Sequence, residues 1–168
     1  MIVYHGSSEV VRQPDILHSY RALDFGKGFY VTTVKEQAER WARRKAALVG
    51  TARIGMARTD DRPIVNQYLM DDDIKDLRVK RFPDDLAEWI EFVCDCRDGK
   101  PDYQDYDLII GKVANDKVFR VVDMYHSGIW DKERALKEIR AYPNYDQLAF
   151  ITQRAIDELL RFEGYLEV

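Results

Sequence analysis

Strand-like apolar runs, all of them short, alternate irregularly with amphipathic helical stretches along the whole chain, and this limits the fold more than any other feature. Regular βαβ winding would need longer helices at even spacing, so the pattern predicts an α+β fold. "MIVYHGS" opens as a strand that runs into a turn, and "FYVTT" reads as a second strand by its rings and β-branched residues. "PIVNQYLM" (63–70) and "DLRVKRF" (76–82) alternate as strands. "DLIIGKVAND" (107–116) begins as a buried strand, and "QLAFIT" (147–152) and "GYLEV" (164–168) complete the set.

Helices are expected between them. Thr33 followed by Glu36 has the form of a capping box. Val34, Ala38, Trp41, Ala42 and Leu48 then recur at near-helical spacing as a core stripe. Residues 84–96 form a helix with acidic residues in the first turn, where the macrodipole favours them. Residues 117–125 suit strand by propensity and helix by spacing, and the spacing is preferred. Asp131 starts an amphipathic helix over 131–142, and a short helix covers 153–160. A chain of 168 residues suits a single domain, 1–168.

Charge and cysteine usage narrow the function classes. A net charge of −4 gives no footprint for non-specific DNA binding. "WARRKAALVGTAR" (41–53) is the only basic candidate and reads as a solvated helix face. Cys94 and Cys96, one residue apart, are too close for an easy disulfide, and no second pair completes a zinc site. They read as helical thiols in a reducing compartment, and no metal is expected. No basic segment leads into a long apolar run and no stretch is long enough to span a bilayer, so the cytoplasm is expected.

Two segments carry the chemistry. In "YHGSS" (4–8), Gly6 permits a sharp turn or a close approach to a ligand. His5 and Ser7, two apart in a strand, share one face. In "DFGKGFY" (24–30), Gly26 and Gly28 permit a tight loop, and Phe29 and Tyr30 fall on opposite faces of the strand. Phe29 suits the core. Tyr30 suits a cleft, where a ring beside bare backbone fits a flat heteroaromatic carboxamide. The run is neither a dinucleotide fingerprint nor a phosphate loop, because the third glycine and the Gly-Lys-Ser/Thr ending are missing.

Taken together, His-Gly-Ser, a spacer, Phe-Gly-Lys-Gly-Phe-Tyr and an Ala/Trp-containing helix resemble the ADP-ribosyltransferases, in the poly(ADP-ribose)-polymerase and diphtheria-toxin-like branch. The likeness is closer still to a family of small bacterial proteins of unknown function, carried by "YHGS", "DFGKGFY", "YDLIIGKVAND" and "DQLAFIT". The resemblance implies an ADP-ribosyltransferase-like split β-sheet core with flanking helices and a cleft for NAD, used as co-substrate. It implies mono-ADP-ribosyl transfer to a macromolecular acceptor, protein or nucleic acid, in a toxin with an antitoxin partner. NAD hydrolysis, or a degenerate nucleotide- or partner-binding module, are the alternatives.

By the same resemblance His5 hydrogen-bonds a ribose hydroxyl, Ser7 supports the nicotinamide ribose or amide, and the Gly6 backbone pairs with the carboxamide. Tyr30 stacks on nicotinamide, and Phe25, Gly26 and Gly28 belong to the cofactor-binding loop. Gln147 occupies the position where the family normally has a catalytic Glu. An amide can orient a 2′-hydroxyl but cannot act as a base or supply negative charge. Asp146 is expected to face the other way, which leaves Asp116 in "VANDK" as the outside carboxylate candidate, with a helix N-cap as its ordinary role. His18 and His126 have no partner pattern and read as surface or loop histidines.

Overall fold

The computed structural model describes residues 1–18, 23–52, 62–74, 76–82, 86–113, 116–141 and 145–168, with the backbone alone at 18, 49–52 and 116. Seven strands and five α-helices in these residues make a mixed α+β fold, as the irregular alternation predicted. The strands are β1 (Ile2–Ser7), β2 (Phe29–Val31), β3 (Ile64–Met70), β4 (Val79–Arg81), β5 (Leu108–Lys112), β6 (Asp146–Phe150) and β7 (Leu160–Glu167). The helices are α1 (Lys35–Ala52), α2 (Leu86–Arg97), α3 (Asp116–His126), α4 (Lys132–Arg140) and α5 (Gln153–Leu159).

The strands form two sheets, ordered β1-β3-β7 and β2-β6-β5-β4. All pairings are antiparallel except β4 with β5. Between the sheets lies a core of Val3, Phe29, Val31, Tyr68, Leu108, Leu148 and Phe150, drawn from the inward faces of five strands. On the other face of the four-stranded sheet, α2, α3 and α4 close a second core around Phe25, Trp89, Ile109 and Ala149. The alternation in β5 and β6 serves both layers: Leu108 and Leu148 face one core, and Ile109 and Ala149 the other.

α1 lies on the outer face of the three-stranded sheet. A Cβ on Gly6 would sit 2.2 Å from the Ala38 carbonyl oxygen and 2.8 Å from the Ala42 nitrogen. Glycine is therefore required at this position for helix and strand to touch. Ala38 and Ala42 are buried there against Val65 and Tyr4. Two members of the expected core stripe do not join them: Trp41 is 38% exposed and Leu48 61%.

Most boundaries follow local signals. Asp131 accepts from the Arg134 N–H and caps α4, and Thr152 accepts from the Ala155 N–H and caps α5. The start of α1 differs from expectation. Thr33 does not form a capping box with Glu36. Instead Asp146, arriving on β6, accepts the Thr33 N–H at 3.1 Å, the Thr33 hydroxyl at 2.7 Å and the Thr32 hydroxyl at 2.8 Å. A charged acceptor held by the sheet outcompetes the flexible Glu36 for these donors.

Candidate functional site

Among the described residues, the two sheets are joined edge to edge by one isolated bridge. The Tyr4 N–H donates to the Thr32 carbonyl at 2.8 Å, and the Thr32 N–H donates to the Tyr4 carbonyl at 2.9 Å. In a continuing antiparallel ladder the next such pair would be Gly6 with Tyr30. The bridge stops instead, and the backbone polar groups of Gly6 and Tyr30 are directed along the two facing edges. A cleft of about 270 Å³ opens from this point. Its walls include Gly6, Phe29 and Tyr30 from the sheets, Gly28 from the loop before β2, Gln37, Ala38, Trp41 and Lys45 from α1, and Gln147 from β6.

His5 sits at the split. Its ring is stacked on Phe29, with centroids 4.4 Å apart, and is almost wholly buried. Nδ1 lies 2.6 Å from the Tyr30 carbonyl oxygen, which can only accept, so the proton is on Nδ1. The Lys45 Nζ lies 3.4 Å from Nε2, and an ammonium can only donate, so Nε2 is the acceptor of this pair. Desolvation depresses the Lys45 ammonium to about 8, and the Glu9 carboxylate only partly offsets it.

Gln147 is 6% exposed at the opposite wall. Its Nε2 donates to Asp24 Oδ2 at 3.2 Å and to the Lys112 carbonyl at 3.1 Å. Both partners are acceptors, so the amide has one possible orientation and both N–H groups are occupied. Asp24 in turn pairs with Arg97 at 3.5 Å, and Arg97 with Asp123 at 2.7 Å. The amide oxygen of Gln147 is the atom left for a ligand. Asp146 faces away toward Thr32 and Thr33, as the strand alternation predicts.

Tyr30 is half-buried, and its hydroxyl is bound into the glycine loop. The hydroxyl accepts the Phe25 N–H at 3.1 Å and donates to the Gly26 carbonyl at 2.7 Å. Burial pushes the phenol well above its ordinary value, and the Asp24 carboxylate adds to this. Gly26 has φ +82° and lies under the Tyr103 ring, which a side chain would strike. Gly28 passes so close to the Phe150 carbonyl that a Cβ would lie 2.5 Å from it. The two glycines thus answer to a left-handed turn and to sheet packing.

Of the residues singled out in the sequence, the cleft gathers His5, Gly6, Gly28, Tyr30 and Gln147. Three stand apart from its walls. Phe25 is fully buried, stacked on Phe82 in the helical core, and has no face for a ligand. Gly26 is covered by Tyr103. Ser7, the last residue of β1, is buried and accepts the Glu9 N–H at 3.4 Å. Asp116 opens α3, but its side chain lies outside the described residues, as does that of His18. His126 pairs with Asp98 on the surface.

The sequence did not mark Gln37, Trp41 and Lys45 as site residues: Trp41 counted in the apolar stripe and Lys45 in the basic face, although the three recur four residues apart, which aligns them on one helix face. Burial pushes the Cys94 thiol up to about 11 and the Cys96 thiol to about 12, so both are unreactive. Among the described residues no three His, Cys, Asp or Glu side chains group as metal ligands, and no helix is long and apolar enough to cross a membrane.

The chain belongs to the family described as protein of unknown function (DUF3990), whose model matches residues 1–162. No curated protein matches it.

Proposed function

We propose that this member of the family is an NAD-dependent ADP-ribosyltransferase that transfers a single ADP-ribosyl unit to a macromolecular acceptor. The observation that carries the reading is the convergence of His5, the Gly6 edge, Tyr30 and Gln147, from three distant segments, on one cleft between two splayed sheets. The Gly6 edge, where the bridge to β2 stops, suits a carboxamide, which needs one donor and one acceptor in a plane, while the Tyr30 carbonyl is taken by His5 Nδ1. The Tyr30 and Trp41 rings supply flat apolar surface for nicotinamide. The Asp-Phe-Gly-Lys-Gly-Phe-Tyr resemblance points to the same ligand.

In the reaction the bond from ribose C1′ to the nicotinamide nitrogen breaks, and nicotinamide leaves with the electron pair. C1′ gains oxocarbenium character and bonds to the acceptor nucleophile, whose proton passes to solvent. Gln147 accepts the 2′-hydroxyl through Oε1 and turns the negative end of its amide dipole toward the developing charge. This is weaker than a carboxylate. The acceptor must therefore supply a nucleophile that needs little activation. An antitoxin partner follows from the resemblance alone, and a cytoplasmic setting is the expectation from the sequence.

The experiment is nicotinamide release from NAD, with and without cell extract as a source of acceptor. Release stimulated by extract, with label from the adenine-ribose half appearing on macromolecules, is expected. Release without acceptor would make the protein a hydrolase. A second reading, a binding module without turnover, is favoured by Gln147 standing where the resembled enzymes have Glu; it predicts NAD binding and no release. A protein that neither binds nor cleaves NAD defeats both.

A further inference from the structure

Among the described residues Lys45 is the one charged side chain in the walls of the cleft. It is half-buried and makes no ion pair among the described residues; its contact is a neutral imidazole nitrogen 3.4 Å away. Leaving a buried ammonium without a carboxylate is costly, and the depressed pKa expresses that cost. Glu9, the carboxylate that acts on it, is exposed and beyond salt-bridge distance. Among the described residues, a cleft otherwise lined by rings, aliphatic and hydroxyl side chains, backbone and amides thus holds one under-compensated cation.

Its position along the helix is informative. Gln37 donates to the Asp146 carbonyl and so marks the Gln147 end of the cleft. Lys45 lies eight residues further on α1, about 12 Å along the axis at 1.5 Å per residue. Trp41 stands between them on the same face. The stripe therefore runs amide, ring, cation, in the order of a carboxamide-bearing ring joined through ribose to an anionic group.

We propose that Lys45 is the phosphate-binding residue of the cleft, taking the pyrophosphate of the dinucleotide. The inference rests on the NAD reading above and deepens it. Before ligand arrives, Lys45 donates to His5 Nε2. On binding, the ammonium turns to a phosphate oxygen, while His5 Nδ1 stays bound to the Tyr30 carbonyl and holds the ring beside the ligand.

The test is titration of NAD, ADP-ribose and phosphate-free nicotinamide against wild type, Lys45→Met and Lys45→Arg, with a melting curve for each. Lys45→Met should weaken NAD and ADP-ribose on the order of tenfold or more, which is the scale of a charged hydrogen bond, and leave nicotinamide unchanged. Lys45→Arg should restore most of the loss. In wild type, raising salt should weaken NAD but not nicotinamide, a readout that needs no variant. If wild type binds NAD and Lys45→Met binds it equally, or loses nicotinamide in equal measure, Lys45 does not hold phosphate and the cleft reading stands. If wild type binds neither NAD nor ADP-ribose, the reading falls and this inference with it.

Discussion

The side-chain amide of Gln147 is held by the Asp24 carboxylate, Nε2 to Oδ2 at 3.2 Å, across a separation of 123 residues. With the Lys112 carbonyl, this contact occupies the N–H groups and leaves the amide oxygen for a ligand. It also changes what a glutamate would do at the same position. Gln147→Glu would set a carboxylate against Asp24 and the Lys112 carbonyl, with no proton between them. We predict a loss of about 1–3 kcal/mol in stability at neutral pH, from like-charge repulsion and an orphaned buried acceptor. Adding Asp24→Asn should recover it and give the better test of a restored carboxylate in nicotinamide release. Unfolding curves for the single and double variants decide; equal stability of wild type and Gln147→Glu would show that Asp24 does not constrain the amide.

Tyr30→Phe should cost about 1–3 kcal/mol, because it removes an acceptor from the Phe25 N–H and a donor from the Gly26 carbonyl inside the glycine loop. Trp41→Ala should cost little, since the ring is more than a third exposed, yet should weaken NAD binding by the loss of stacking. Chemical denaturation and NAD titration on the two variants separate the effects. The reverse pattern, a neutral Tyr30→Phe and a destabilising Trp41→Ala, would refute this division of labour.

The Lys45 ammonium, with His5 and Glu9 facing it from β1 and the turn after it, has a folded pKa of about 8, below its unfolded value. Between these two values the unfolded state binds more protons, so this group makes stability rise with pH there. Below about 8 its burial penalty is fully present. Lys45→Met should therefore raise stability at pH 7, on the order of 1 kcal/mol. NAD affinity should fall in wild type as pH climbs past about 8 and stay level in Lys45→Arg. A level wild-type profile would contradict the phosphate role.

Asp107 sits at the junction of β4, β5 and α5. Burial works to raise its carboxyl, but the Arg78 guanidinium and N–H and the Thr152 hydroxyl outweigh this and hold it below its ordinary value. Its contribution is present at neutral pH and is lost as pH falls through the depressed folded pKa. Asp107→Asn should destabilise by about 2 kcal/mol at pH 7 and flatten the acid side of the stability profile. Parallel acid titrations of wild type and variant, with identical slopes below pH about 4, would count against it.

Gly6→Ala should disrupt the fold rather than the ligand site alone. The new methyl would overlap the Ala38 carbonyl, a backbone atom that moves only if α1 moves, for a cost of at least about 2 kcal/mol. A variant that keeps the wild-type melting temperature would mean that α1 yields freely.

Much of this protein was legible in its sequence because the relevant physics is local. Strand alternation placed Phe29 in the core and Tyr30 at its edge, and helical spacing resolved α3 although its residues also favour strands. Asp131 announced its helix through a bond three residues long. "YHGS" and "DFGKGFY" marked the segments that meet, since glycines at close approaches leave a local trace. What only the tertiary structure decided depends on partners far along the chain. Asp146 replaces Glu36 at the start of α1, Asp24 aims Gln147, and Phe25 goes to a core that α2 and α3 complete. Lys45 looked like part of a solvated basic face, and it became a cleft cation because α1 turns that face against His5. A residue's neighbours in sequence set its backbone, but its charge, proton and orientation are set by whichever groups the packed sheets bring within about 3 Å.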